Sequence, residues 1–394
     1  MKVLVLHSEL GVLRGGGENF SRNLFSAFAQ RGHHVAAAFV ADRRGRYPLA
    51  LPPVIEPIPI HGWWSNNFGQ ATLSDIGRLF SPRGKYRKKW DHIQAAIGWR
   101  VFSWHKRRFQ RRVAERFAKV WVEYDAIYVH GDALLANMVA RYRLTVLRLP
   151  GPVTSELEPM LRGVDAVCAN GDALNSIRQF LGSHVTELPV GIDSLLFQPG
   201  PSEIRSALGW QGSRVVGYVG RLTHVKGIDI LAKAFRDAIS RVPDLRLLVI
   251  GSGEESYSVR ALLAREFAKG AVHLEPDVSH ENLVNWYRAM DLLIMPSRYE
   301  NFSNSLLEGM ACGLPFLASG VGGNKIMAQS GAGWLFDPGS VDSLSAQLTN
   351  VTINGSELKR RGQCGFDYVR SHHSWLATAE RLEQIFLSRG GADA

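Results

Sequence analysis

DLLIMPSRYENFSNSLLEGMACGLPFLASGVGG, residues 291–323, sets the fold of this chain. Leu292, Leu293, Ile294 and Met295 form an unbroken apolar run, the pattern of a parallel strand covered on both faces. A polar loop follows. Ser303 or a neighbouring Asn is placed to cap a short helix carrying Leu306, Leu307 and Met310, and Gly313 then Pro315 stop it. A second buried strand runs from Pro315 to Ser319. Glu300 lies on the loop, and Glu308 a little over one turn into the helix. The N–H groups of Phe302, Ser303 and Asn304 stand at a helix N-terminus, where the dipole favours an anion. A carboxylate on each side can accept hydrogen bonds from sugar hydroxyls. The pattern therefore suits a polyol phosphate, although both glutamates could also be plain surface residues.

Pro296-Ser297, Glu300, Glu308-Gly-Met-Ala, Gly313-Leu-Pro315 and Gly322-Gly323 resemble the donor-site signature of glycosyltransferase family 4, retaining enzymes of GT-B fold. The resemblance implies an α/β chain of two Rossmann-like domains facing across a cleft. The first is expected over residues 1–199 and binds acceptor; the second, over 200–372, binds the nucleotide sugar. Residues 373–394 should form a helix that returns to the first domain, with Trp375, Ala379, Leu382, Ile385 and Phe386 on one face.

Length agrees with that division, since 394 residues suffice for two cores. Three scattered cysteines, Cys168, Cys312 and Cys364, fit reduced thiols in a cytosolic enzyme. No apolar run approaches the roughly 18 residues of a spanning helix, and the first residues lack a signal-peptide pattern, so the expected location is cytoplasmic.

The first domain opens with a strand from Lys2 to Leu6, then Arg14-Gly-Gly-Gly-Glu18, an apolar helical pattern from Phe20 to Ala29, and a second strand from Val35 to Val40. This is a Rossmann-like unit without the GxGxxG spacing. Gly16 and Gly17 let backbone approach a ligand closely, and Gly-Gly-x-Glu after a first strand is also the family's opening. Further strands run over 125–129, opening at His130, over 144–149, opening at Pro150, and over 164–169. The family commonly places a His where Pro150 stands, so His130, one strand earlier, becomes the acceptor-side candidate.

Residues 54–124 depart from the family. They hold six of the ten tryptophans, among them Trp63, Trp64, Trp90, Trp99 and Trp104. Between Arg78 and Lys119 fourteen Lys/Arg face only Asp91 and Glu115, a net of +12 in a chain of net +10. Basicity so localised, without a nucleic-acid motif, argues against a nucleic-acid partner. Phe109, Val113 and Phe117 recur at helical spacing with Lys106, Arg107, Arg108, Arg111 and Arg112 between them. Three readings stand open: an anionic inner-leaflet membrane surface, a phosphorylated acceptor, or an ordinary helix packing on its own domain.

Residues 188–199, LPVGIDSLLFQP, resemble the family's crossing segment, with the boundary near Pro199 to Pro201. The second domain then runs from a strand over 214–219 into Gly220-Arg221-Leu-Thr-His-Val-Lys226-Gly227. Arg221 and Lys226 lie in a strand-to-helix loop, converging there with no acidic partner nearby, and so read as a phosphate clamp. The loop over 275–278 is where the family seats the base, with Glu275 or Pro276 where many relatives carry Gly. Asn324-Lys325 stands where Pro-Glu is usual, and Asn301-Phe302-Ser303 where Gly-Phe-Gly is common.

The resemblance implies that Arg221 and Lys226 hold the diphosphate, assisted by the loop Asn301-Phe302-Ser303. Glu308 would take the ribose hydroxyls and Glu300 the sugar. The co-substrate is a nucleotide-diphosphate sugar, with no cofactor and no metal, since two cations already neutralise the leaving group. The acceptor is a glycan or a lipid-linked glycan of bacterial cell-surface or lipopolysaccharide type. Retention requires a covalent nucleophile or same-face attack, and the absence of an evident nucleophile favours the latter. Two alternatives share the fold: a sugar-nucleotide epimerase and a non-catalytic sugar-nucleotide binder.

Overall fold

The computed structural model describes residues 1–11, 16–42, 44–61, 106–118 and 120–390. The chain forms two compact units. One comprises Met1–Ala169, Ser176–Leu188 and Leu376–Ala394; the other comprises Asn170–Asn175 and Pro189–Trp375.

In the first unit seven strands pair in parallel in the order β3-β2-β1-β4-β5-β6-β7. They are β1 (Lys2–Leu6), β2 (His34–Ala41), β3 (Ile55–His61), β4 (Ala126–His130), β5 (Thr145–Arg148), β6 (Ala166–Ala169) and β7 (Val185–Glu187). β1 and β4 are buried almost throughout, as central strands covered on both faces must be. The second unit holds β8 (Arg214–Val219), β9 (Leu245–Ile250), β10 (Val272–Glu275), β11 (Leu292–Met295), β12 (Phe316–Ser319) and β13 (Gly333–Phe336). Their order, β10-β9-β8-β11-β12-β13, is again all parallel. In both sheets the order reverses beside the first strand, between β1 and β4 and between β8 and β11. That reversal opens a crevice at the carboxyl ends of the strands, where ligands of open α/β sheets bind.

Three strands were not legible as such: β3, β7 and β13. Each is a sheet edge or close to it, and β3 carries Pro57 and Pro59, which only an edge tolerates. Residues 189–199 belong to the second unit, so the crossing comes before the Pro199–Pro201 cluster. Ile192 bridges Ser374 there, and the Phe197 ring meets Tyr287 edge-on at 6.0 Å.

Helix Trp375–Gly390 buries Ala379, Leu382, Ile385 and Phe386. Within the first unit Phe386 stands edge-on to Phe28, and Glu383 takes two bonds from Arg31, at 2.9 and 2.6 Å. The last helix thus closes the first unit's core.

Of the basic segment, residues 106–117 are helical, while Trp63, Trp64, Trp90, Trp99 and Trp104 lie outside the described residues. Phe109, Val113, Phe117 and Trp121 are all buried. The aromatic face of this helix is core, and its exposed side carries Arg107, Arg111, Glu115 and Arg116, with Arg111 3.8 Å from Glu115. Among the described residues no helix is long and apolar enough to cross a membrane.

Candidate functional site

In the second unit the β8 and β11 loops flank the switch point. Arg221 is exposed just past β8, with its carbonyl held by the Tyr218 hydroxyl at 2.7 Å. Lys226 does have an acidic partner, contrary to the sequence reading: its Nζ lies 2.7 Å from Glu300 Oε2. The partner comes from 74 residues along the chain and no local pattern reveals it. Glu300 is 7% exposed, and the Ser297 hydroxyl donates to the same oxygen at 3.2 Å. The two loops are also tied by Arg298, which forks onto both oxygens of Asp229 and donates to the His224 carbonyl at 2.7 Å.

Behind Glu300 the loop is fixed through its backbone. Gly323 N–H donates to the Glu300 carbonyl at 3.0 Å. Gly322, at φ +36°, has no room for a side chain, because a Cβ would overlap that same carbonyl oxygen. Asn301 is a structural anchor rather than an open donor. Its side-chain oxygen accepts from the Ala173 N–H at 2.7 Å and its carbonyl from the Asp172 N–H at 3.2 Å. The Phe302 ring tilts over His373, 5.8 Å away.

Ser303 caps helix Asn304–Ala311, its hydroxyl accepting from the Leu306 N–H at 3.3 Å. The first N–H groups of that helix have no intrahelical acceptor and form the anion-favouring end. Glu308 is 8% exposed and both oxygens are engaged. Oε2 accepts from the Tyr287 hydroxyl at 2.7 Å, and Oε1 lies 3.1 Å from His280 Nε2. The bond to Glu308 raises the His280 pKa above its ordinary value against the opposing effect of burial. Each carboxylate oxygen keeps further lone-pair directions for a diol.

Sequence reasoning missed both Tyr287 and His280. A clue existed for the first: a tyrosine in an apolar helical pattern needs a partner for its hydroxyl once buried. His280 sits in the loop after β10, with nothing in its spacing to mark it.

The departure at Asn324 is structural. The residue is fully buried, and its amide donates to the Ser319 carbonyl at 3.1 Å, linking the start of helix Gly322–Ala328 to the end of β12.

The first unit carries its own cluster at its own switch point. Helix Gly16–Gln30 begins at Gly16, so Gly16 and Gly17 are its first turn and not a preceding loop. Gly17 faces His130: a Cβ there would lie 2.9 Å from His130 Nε2. His130, at the end of β4, stacks on His7 from the end of β1, centroids 4.1 Å apart and planes 13° apart. Ser21 Oγ lies between them, 2.9 Å from His7 Nδ1 and 3.3 Å from His130 Nδ1. Tyr128 OH is 3.4 Å from the same His130 nitrogen. Burial, then the charges of Arg148, Lys106 and Arg22, pulls the His7 pKa down to about 3. Burial and the neighbouring His7 lower that of His130 too. Both rings are neutral near pH 7. Lys106, from the basic helix, donates to the Gly131 carbonyl at 2.9 Å, and Gln110 donates to Asp132.

Two all-parallel sheets with this strand order are a GT-B fold, two Rossmann-like units. Residues 202–365 match the family model described as glycosyl transferases group 1. The chain is 31% identical over 257 residues to a D-inositol 3-phosphate glycosyltransferase of Segniliparus rotundus, the match covering 60% of this chain and 57% of that one. It is 30% identical over 229 residues to a GDP-mannose-dependent monoacylated alpha-(1-6)-phosphatidylinositol monomannoside mannosyltransferase of Corynebacterium glutamicum, covering 55% and 60%. The chain thus spans little more than half the length of these curated relatives. Among solved structures it is similar to the sucrose-phosphate synthase of Thermosynechococcus elongatus, with TM-score 0.75, 20% identity and 99% of each chain covered.

Proposed function

We propose that this chain is a retaining glycosyltransferase that moves a sugar from a nucleotide-diphosphate sugar to a glycan or lipid-linked acceptor of the bacterial cell surface, working from the cytoplasmic side. The observation that carries the reading is the Lys226–Glu300 pair at the second unit's switch point, beside the Ser303-capped helix. A cation, a carboxylate and a helix N-terminus at one place match the three needs of such a donor: a diphosphate, a polyol and an anion leaving. Negative charge builds on the departing diphosphate, and preorganised cations and N–H groups stabilise it more than they stabilise the ground state. Arg221 and Lys226 neutralise that diphosphate, so the donor side calls for no metal. When the diphosphate draws Lys226 away, Glu300 is released to the sugar hydroxyls, while Glu308 receives the ribose. With no nucleophile assigned, attack comes from the face the diphosphate leaves, and the leaving phosphate takes the acceptor proton. His130 serves on the acceptor side, its ring fixed by Ser21 and Tyr128.

The lipid-linked acceptor is supported by the relative named for a phosphatidylinositol mannoside and by the exposed Arg107, Arg111 and Arg116. Those arginines would draw the enzyme to anionic lipid of the inner leaflet.

A thermal-shift screen against nucleoside diphosphates and their sugars, followed by assay of transfer and donor hydrolysis, tests the reading. A ligand at 100 times its Kd stabilises by about 2.7 kcal/mol. Stabilisation with transfer is expected. Stabilisation without transfer or hydrolysis would mean a binder only, isomerised sugar an epimerase, and no stabilisation by any of them would end the proposal.

A further inference from the structure

Two buried imidazoles at the switch point of the first unit share a single hydroxyl. Ser21 Oγ lies 2.9 Å from His7 Nδ1 and 3.3 Å from His130 Nδ1, and the two rings stack 4.1 Å apart. Ser21 is fully buried, His7 is 2% exposed and His130 8%. Among the described residues His130 Nε2 has no hydrogen-bond partner; the contacts of that ring are made by Nδ1. We infer that Glu18, His7 and Ser21 form a relay that fixes His130 with its hydrogen on Nδ1. Nε2 is then left as an open hydrogen-bond acceptor for a hydroxyl of the acceptor substrate.

Counting hydrogens couples the two rings. A hydroxyl has one hydrogen to give, and a neutral imidazole carries a hydrogen on only one of its nitrogens. Both rings are neutral: burial and the charges of Arg148 and Lys106 oppose protonation of each, and Arg22 adds to this at His7. Ser21 can therefore donate to only one Nδ1, and the other Nδ1 must donate to its oxygen. The two histidines hold opposite tautomers.

Glu18 decides which ring holds which. Its Oε1 is 3.9 Å from His7 Nε2, too long for a hydrogen bond but close enough for its charge to favour a hydrogen on that nitrogen over a lone pair. His7 Nδ1 then accepts from Ser21, in the shorter of the two contacts, and His130 donates from Nδ1. That nitrogen lies 3.3 Å from Ser21 Oγ and 3.4 Å from Tyr128 OH, the lengths of one hydrogen divided between two oxygens. In the opposite arrangement Ser21 and Tyr128 compete for a single lone pair, and a lone pair of His7 faces a carboxylate. Gly17, in the first turn of helix Gly16–Gln30, keeps His130 Nε2 uncovered, since a Cβ there would come within 2.9 Å of it. A nitrogen lone pair accepts from a hydroxyl and repels an ionised phosphate or carboxylate oxygen. The subsite therefore suits a neutral polyol face, gripping a hydroxyl other than the attacking one, whose proton goes to the leaving phosphate. That use rests on the glycosyltransferase reading; the tautomer does not.

The test measures no transfer, so its failure is separate from failure of the glycosyltransferase reading. Full-length protein carrying nitrogen-15-labelled histidine is followed by long-range proton–nitrogen NMR near pH 7, with His7→Gln and His130→Gln assigning the two rings. Opposite tautomers are expected, His130 bare at Nε2 and His7 bare at Nδ1. Ser21→Ala, or Glu18→Gln should the first not fold, should mix the tautomers. Added glycerol, a neutral polyol, should shift the His130 Nε2 signal in wild type but not in Gly17→Ala, whose helical backbone accepts alanine and whose methyl covers the nitrogen. Inorganic phosphate at the same concentration should not shift it. Like tautomers in the two rings, a hydrogen on His130 Nε2, or an unchanged pattern in the relay variant overturns the relay. No shift with glycerol, or a shift with phosphate instead, overturns the hydroxyl subsite.

Discussion

Lys226 and Glu300 hold each other in place, and this gives Lys226 and Arg221 different expected behaviours. On the proposed function both substitutions to Ala remove a charge-assisted phosphate contact of about 1.5–3 kcal/mol, so activity should fall about ten- to hundred-fold in each. Only Lys226→Ala also strips a nearly buried carboxylate of its cation, so only that variant should melt lower; Arg221 is exposed. Equal melting temperatures together with wild-type turnover in both would remove the clamp. Glu308 gives a further contrast. Tyr287→Phe removes the 2.7 Å bond to Oε2 and should raise donor KM with kcat nearly kept, whereas Glu300→Gln should lower kcat. His280 adds a pH dependence. Its folded pKa is raised above 6.5, so its bond to Glu308 contributes stability that is full below that value and fades as pH rises through the folded pKa. The melting difference between wild type and His280→Gln should therefore shrink from pH 6 to pH 8; a constant difference would mean that the charge on His280 is not involved.

At the scale of elements, the loop from Glu300 to Ser303 works because other segments grip it. Gly322 and Gly323 press on its carbonyls, and Asp172 and Ala173 bond to Asn301. Gly322→Ala meets both a left-handed φ and an overlap with the Glu300 carbonyl, at a cost of order 1–3 kcal/mol. Displacement of the loop should weaken nucleotide binding measured by calorimetry, while Gly339→Ala, also at positive φ but with open space around it, should cost stability alone. Unchanged nucleotide affinity in Gly322→Ala would mean the loop does not depend on this contact. What was legible in the sequence follows the same division. The strands β1, β8 and β11 and the capped helix Asn304–Ala311 could be read because central parallel strands are continuous apolar runs and helix caps are local chemistry. β3 could not, since Pro57 and Pro59 mimic a loop. Glu300 and Glu308 could be singled out as candidates from their motif. Their partners Lys226, Tyr287 and His280 could not be paired with them, because those contacts join separate loops and helices. The clustering of His7, Ser21 and His130 likewise depends on β1 lying beside β4, which no local window contains.

Across the whole molecule, charge is the property whose meaning changed most between sequence and structure. The net of +12 between Arg78 and Lys119 is compatible with a helix lying in a membrane interface. In the described part of that segment, however, Phe109, Val113 and Phe117 face the protein core, and no aromatic side chain of residues 106–117 is left to enter acyl chains. Attraction through this helix must then be electrostatic, from Arg107, Arg111 and Arg116, each cation near an anionic surface being worth about 1 kcal/mol within a Debye length. Such binding has a distinct signature. In sedimentation with liposomes it should require anionic lipid, fall steeply between low and high salt, and drop when those three arginines become Glu. Phe109→Ala, by contrast, should lower the melting temperature through a core cavity without changing lipid affinity below the melting point. Binding that survives high salt would point to insertion by residues outside this helix. A protein that stays in the supernatant with every liposome would leave a soluble anionic acceptor as the partner of the basic face.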